Sequence, residues 1–190
     1  MDGRHRYLAG MTSIALGIDI GRVLMCPSAD DARPDTSFLN LPEAQALAVP
    51  ASPHVWDVVP ELVRTFGGRV WLVSKAGERI EALTRRWLAH HRFFARVGLP
   101  ADAVRFCRRR EDKRGHALEL GLTHFIDDRS DVLAALVGAV PHLYLFGAQK
   151  LAVPTFAKHV GDWLVARDVV LADLAPPQPA GPLADEHVPA

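Results

Sequence analysis

This chain lacks net charge: 22 Lys and Arg are matched by 22 Asp and Glu. A general coat for nucleic acid, or a binder of anionic membrane, would carry a basic excess, so the balance argues against both. Cysteine is nearly missing, with Cys26 and Cys107 the only two in 190 residues. Two thiols make neither a disulfide framework nor a zinc site, and both are expected to be reduced in a cytoplasmic protein. No apolar run approaches the roughly 18 residues of a membrane-spanning helix, so no membrane association is expected. The opening MDGRHRYLAGMTS is charged but has no apolar signal core, and nothing in it predicts secretion. There is no internal repeat. Histidine is plentiful, but His90, His91, His116 and His124 show no metal-ligand spacing with cysteine or acid.

What is present is enough apolar residue, 49% of the chain, to build one domain with a sizeable core. The polar stretch 1–12 is expected to be a flexible N-terminus, 13–170 the folded domain, and 171–190, rich in Pro and Ala, a disordered tail. Short apolar runs at 14–20, 69–74, 103–107, 123–127 and 142–146 predict strands. Helices are predicted after Ser52-Pro53 as far as Gly67-Gly68, with Pro60 giving a kink or a late start, and over 78–91, 113–120, 128–137 and 154–166. Residues 25–52 have loop composition, with Pro27, Pro34, Pro42 and Pro50. Trp56, Trp71, Trp87 and Trp163 fall in or beside apolar faces and are expected to pack. Strands alternating with helices of this length predict an α/β, three-layer α/β/α sandwich around a Rossmann-like parallel sheet.

Four segments end in residues that carry chemistry: IALGIDIGRVL (14–24), VWLVSKAG (70–77), EDKRGHALELG (111–121) and THFIDDRSDVL (123–133). In an open parallel sheet, ligands bind outside the carboxyl ends of the strands, so these residues should converge there. Asp19 is a carboxylate at a strand end that could attack phosphorus and form an acyl phosphate. Ser74, with Lys75 beside it, offers a hydroxyl and backbone N–H groups at a helix start, a natural phosphate cradle. Lys113 supplies an ammonium that can offset negative charge. Asp127 and Asp128, with Asp131 one turn later, place carboxylates together, and a hard cation such as Mg2+ relieves their repulsion. Taken singly, each has an ordinary explanation as a turn cap, an N-cap or a solvated lysine. It is the four together, in this order, that point to one site.

That order resembles the haloacid dehalogenase superfamily, over roughly 14–165. The resemblance implies a magnesium-dependent phosphatase with little or no cap domain. Asp19 would be the nucleophile, Ser74 the hydroxyl holding a phosphate oxygen, and Lys113 the neutralising cation. Asp19, the carbonyl of Gly21 and Asp128 would hold Mg2+, supported by Asp127. Arg22, Lys75, Ser74 and Lys113 are the substrate-binding candidates. Family phosphatases usually carry a second Asp two residues after the nucleophile, as general acid and base. Here that position is Gly21, a loss expected to cost roughly 10²–10⁴-fold in rate. Three readings stay open: a phosphomonoester hydrolase, a protein phosphorylated on Asp19 but slow to hydrolyse, giving a phosphotransferase or a trapped intermediate, or a weak or inactive relative that binds a phosphorylated ligand or protein partner. Without a cap the site is open, shielded by a loop or by the partner of a homodimer. It would then accept bulky phosphomonoesters such as a nucleotide or sugar phosphate, with a nucleic-acid end ranked below them. The run Arg105, Arg108, Arg109, Arg110, Lys113, Arg114 offers either a polyanion contact or a solvated basic rim.

Overall fold

The computed structural model describes residues 13–25 and 42–175. In chain order the elements are β1 (Leu16–Ile18), α1 (Glu43–Leu47), α2 (Val55–Thr65), β2 (Val70–Lys75), α3 (Glu78–His90), α4 (Phe93–Val97) and β3 (Val104–Cys107). They continue with α5 (Lys113–Glu119), β4 (His124–Asp127), α6 (Ser130–Leu136), β5 (His142–Phe146), β6 (Lys158–Val160) and α7 (Trp163–Leu174). The strands form one all-parallel sheet in the order β3-β2-β1-β4-β5-β6, a Rossmann-like α/β fold. No helix among the described residues is long and apolar enough to cross a membrane.

The central strands are apolar on both faces, as a sheet covered from both sides requires. One core gathers Leu16, Ile18, Val70, Leu72 and Ile126 with Val59 and Leu62 of α2, Trp87 of α3 and Trp163 of α7. The other packs Ala15, Val73, Phe125 and Leu143 against Leu133 and Leu136 of α6. Trp87 and Trp163 are fully buried, and Trp56 and Trp71 pack at the core margin. The two buried indoles donate to the carbonyls of Val49 and Val23, which satisfies their one polar group. Gly17 of β1 is required by proximity: a Cβ there would sit 2.5 Å from the ring of Phe125, its partner on β4.

The expected strands all form, and β6 is an addition. The segment expected as a helix over 154–166 instead gives β6 and then α7. Asp162 caps that helix by accepting from the Val165 N–H at 2.9 Å. Because α7 continues to Leu174, folded chain extends four residues past the expected boundary at 170. α2 starts at Val55 rather than at Ser52-Pro53, after His54 in a left-handed conformation (φ 65°), and it runs through Pro60 without a break. The loop-like interval 25–52 contains α1, packed against α3. Residues 26–41 of that interval lie outside the described residues, as do 1–12 and 176–190, within the segments expected as the flexible N-terminus and disordered tail.

The strand order reverses direction between β1 and β4. β1 leads outward through β2 to β3, and β4 leads the other way through β5 to β6. A crevice opens at such a switch point, beyond the carboxyl ends of the two central strands. Ile18 is level with both Leu72 and Ile126. The residues one step further, Asp19 and Asp127, therefore stand side by side at that crevice, and the Asp19 N–H donates to the Ile126 carbonyl at 3.0 Å.

Candidate active site

A cavity of about 100 Å³ occupies this position, walled by Asp19, Gly21, Ser74, Lys113, Asp127 and Asp128. Lys75 and Arg110 reach it from the strand ends on one side, Arg129 from the other, and Ile80 and Thr84 from α3. The structure thus brings together the strand-end and helix-start residues that the four segments singled out.

Lys113 is the hub. Its ammonium donates to Asp19 Oδ1 at 2.6 Å and to Asp127 Oδ2 at 2.7 Å, and all three side chains are buried. Burial alone would push the Lys113 pKa down, but the Asp127 and Asp19 carboxylates outweigh it and hold the group above the ordinary lysine value. Asp127 shows the opposite balance. Burial pushes its carboxyl up, Lys113 pulls it down and Asp19 adds repulsion, and burial outweighs the lysine, so the group stays above the usual carboxylate range. A hydrogen bond from the Arg129 N–H at 3.0 Å to Oδ1 completes its coordination by protein groups. A buried charge network of this kind is costly unless its partners are hydrogen-bonded, and here each contact is short and charge-assisted.

Asp128 follows Asp127 off the strand, and one of its oxygens lies 3.4 Å from Arg22 Nε. Arg22 itself has a left-handed backbone (φ 59°), which costs a non-glycine residue about 1–2 kcal/mol. That conformation turns the chain after Asp19 and carries the guanidinium back over Asp128. Asp19, Asp127 and Asp128 each offer a ligand atom within 4.8 Å of the others, a group that could hold a metal ion. The donor set fits a hard cation: three carboxylates face one small volume, with Lys113 the one ammonium between two of them. Asp131 does not join this group. It forms a two-point ion pair with Arg129, and the hydrogen bonds from Arg129 hold its carboxyl below the usual range.

Ser74, the last residue but one of β2, has a hydroxyl that makes no hydrogen bond among the described residues, and its carbonyl accepts from the Cys107 thiol at 3.7 Å. Burial raises the Cys107 pKa and keeps that thiol neutral. Cys26 lies outside the described residues.

The basic run resolves into separate tasks. Arg105 binds the Asp102 and Val104 carbonyls, Arg108 binds the Ala76 carbonyl and Glu81, Arg109 pairs with Asp112, and Arg114 holds the Ala135 and Val137 carbonyls. Lys113 is the buried hub. The Arg110 side chain alone of the run is left at the cavity with neither a hydrogen bond nor an ion pair among the described residues. Thr84 and Ile80 are cavity residues that motif reading missed. Their spacing of four on α3 places them on one helix face, which was the available signal. No protein-family model matches the chain, and no curated protein matches it.

Proposed function

We propose that this protein is a phosphoryl-transfer enzyme of the haloacid dehalogenase type, hydrolysing phosphomonoesters through an aspartyl phosphate on Asp19. One observation carries the reading: a buried lysine bridges Asp19 to Asp127 inside a cavity that also presents Asp128 and Ser74. A purely structural ion pair has no need of a third carboxylate and a hydroxyl facing the same small space.

Lys113 fixes Asp19 Oδ1, which orients the carboxylate, while Oδ2 lies on the Gly21 side of the cavity. Oδ2 is then the oxygen that attacks phosphorus in line with the departing group. The Ser74 hydroxyl donates to a phosphoryl oxygen, and the Lys113 ammonium stabilises charge that builds on the group in transit. Water cleaves the acyl phosphate and returns the Asp19 carboxylate. Asp19, the Gly21 carbonyl and Asp128, with Asp127 behind them, would hold Mg2+. When bound, that ion neutralises phosphoryl charge and lessens repulsion between the acids.

Gly21 favours a second reading, a phosphate-binding protein with weak or no turnover, since it supplies no acid or base. Purified protein with Mg2+ and an aryl phosphate separates the two. The wild type should release phosphate and Asp19→Asn should not. Equal background in both, with fluoroberyllate still bound, would leave the binding reading in place.

A further inference from the structure

We infer that the preferred substrate is a phosphoanhydride, a terminal phosphoryl group whose leaving group is itself a phosphate, as in inorganic pyrophosphate or a nucleoside diphosphate. This rests on the phosphoryl-transfer reading of Asp19 and adds the class of leaving group.

Two observations meet. The first is the wall around the leaving side. Among the described residues the cavity is lined by no His, Glu, Tyr or Cys, and its only ionisable acids are Asp19, Asp127 and Asp128. Asp19 and Asp127 are tied to Lys113, and Asp128 faces Arg22. At position 21, where a proton donor would stand, there is glycine with open space: a Cβ there would meet only Asp19 Oδ2, at 3.9 Å. An alkoxide needs a proton as it departs, whereas a phosphate leaves as an anion that spreads its charge over several oxygens. The second observation is the mouth. Lys75 is exposed and Arg110 half-buried, both line the cavity, and neither side chain has a hydrogen-bond or ion-pair partner among the described residues. Arg110 feels Asp131 only through space. Two uncommitted cations beside a cavity filled by one phosphoryl group match a second phosphate just outside it.

The step balances without an added acid. Asp19 Oδ2 bonds to the terminal phosphorus, and the bond from that phosphorus to the bridging oxygen breaks, its electron pair leaving with the departing phosphate. Water oxygen then attacks the same phosphorus, the Asp19 oxygen–phosphorus bond breaks, and the two water protons leave on the released phosphate.

The test compares inorganic pyrophosphate, p-nitrophenyl phosphate and glycerol 2-phosphate with Mg2+, using wild type, Lys75→Ala, Arg110→Ala, Asp19→Asn and Gly21→Asp. Wild type should turn over pyrophosphate with kcat/KM at least about 100-fold above glycerol 2-phosphate. Each cation variant should lower the ratio of pyrophosphate to p-nitrophenyl phosphate activity by about tenfold, because only pyrophosphate departs as a phosphate. Calorimetry with methylenediphosphonate should show the same loss of affinity in those variants. Gly21→Asp should raise glycerol 2-phosphate turnover. Glycerol 2-phosphate turned over as well as pyrophosphate, or cation variants that leave the ratio and the diphosphonate affinity unchanged, would overturn the leaving-group inference alone. If no substrate turns over and fluoroberyllate fails to bind, or if Asp19→Asn keeps full activity, the phosphoryl-transfer reading falls and this inference with it.

Discussion

Replacing Lys113 by Met keeps most of the length of the side chain and removes its charge. In the folded protein this leaves Asp19 and Asp127, both buried, adjacent on neighbouring strands with no ammonium between them. Breaking a buried pair by deleting one partner costs about 3–5 kcal/mol, because the remaining charge stays desolvated. The two acids left behind share one buried site, where one of them can take up a proton, so the whole of that range is expected. For a domain of this size each kcal/mol shifts Tm by about 2–4 °C, so Lys113→Met should melt roughly 6–20 °C below wild type without metal. Asp127→Asn alone should cost less, since Lys113 keeps Asp19. Combined with Lys113→Met, it should recover part of the loss, with a coupling of about 0.5–3 kcal/mol. Urea denaturation of the four proteins at neutral pH in chelator gives the cycle. A Lys113→Met protein within about 0.5 kcal/mol of wild type, or a double variant that is simply additive, would refute the claim that this triad is a coupled buried network.

Mg2+ should raise the Tm of wild type, by an amount equivalent to about 2.7 kcal/mol at 100 times its Kd, and Asp128→Asn should abolish most of that shift in a thermal scan. His124, buried at the opposite end of β4, stacks on His142 at 4.4 Å and has its Nε2 unpartnered among the described residues. Burial, with help from His142 and against Asp173, lowers its pKa from 6.5 to about 4. The folded pKa lies below the unfolded one, so the neutral form is favoured by folding. At most about 3 kcal/mol of stability, full above pH 6.5, should be lost as pH falls towards 4. His124→Phe should flatten that part of the pH profile, and an unchanged slope would count against the assignment. Gly17→Ala would press a methyl onto Phe125 and should destabilise by about 1–3 kcal/mol, measured by chemical denaturation.

Much of the site was legible because apolar runs stop at it. Asp19, Ser74 and Asp127 each stand at or beside the end of a strand and follow a largely apolar run, and the parallel fold brings such ends together. The depth of Lys113 was not legible. A lysine at a helix start reads as solvated, and it is buried only because α5 delivers it between the next strand, β4, and the distant β1 at the other end of the chain. The pairing of Arg22 with Asp128 was hidden for the same reason. β6 was missed because three residues, two of them exposed, carry no periodicity. The true start of α7 was announced by Asp162, whose capping geometry needs only the residues that follow it. α1 and α4, five residues each, are too short for a helical pattern to emerge.

The close fit of Phe125 over Gly17 has a consequence at the far end of the same two strands. A slip of one residue between β1 and β4 would drive that ring into Leu16 or Ile18, whose side chains leave no such gap, so the pairing has a mechanical stop. The stop sits two rungs below Asp19 and Asp127. A steric lock made of carbon and hydrogen alone thus keeps two distant acids abreast, and any change that loosens it should misalign the chemistry without touching a single polar atom.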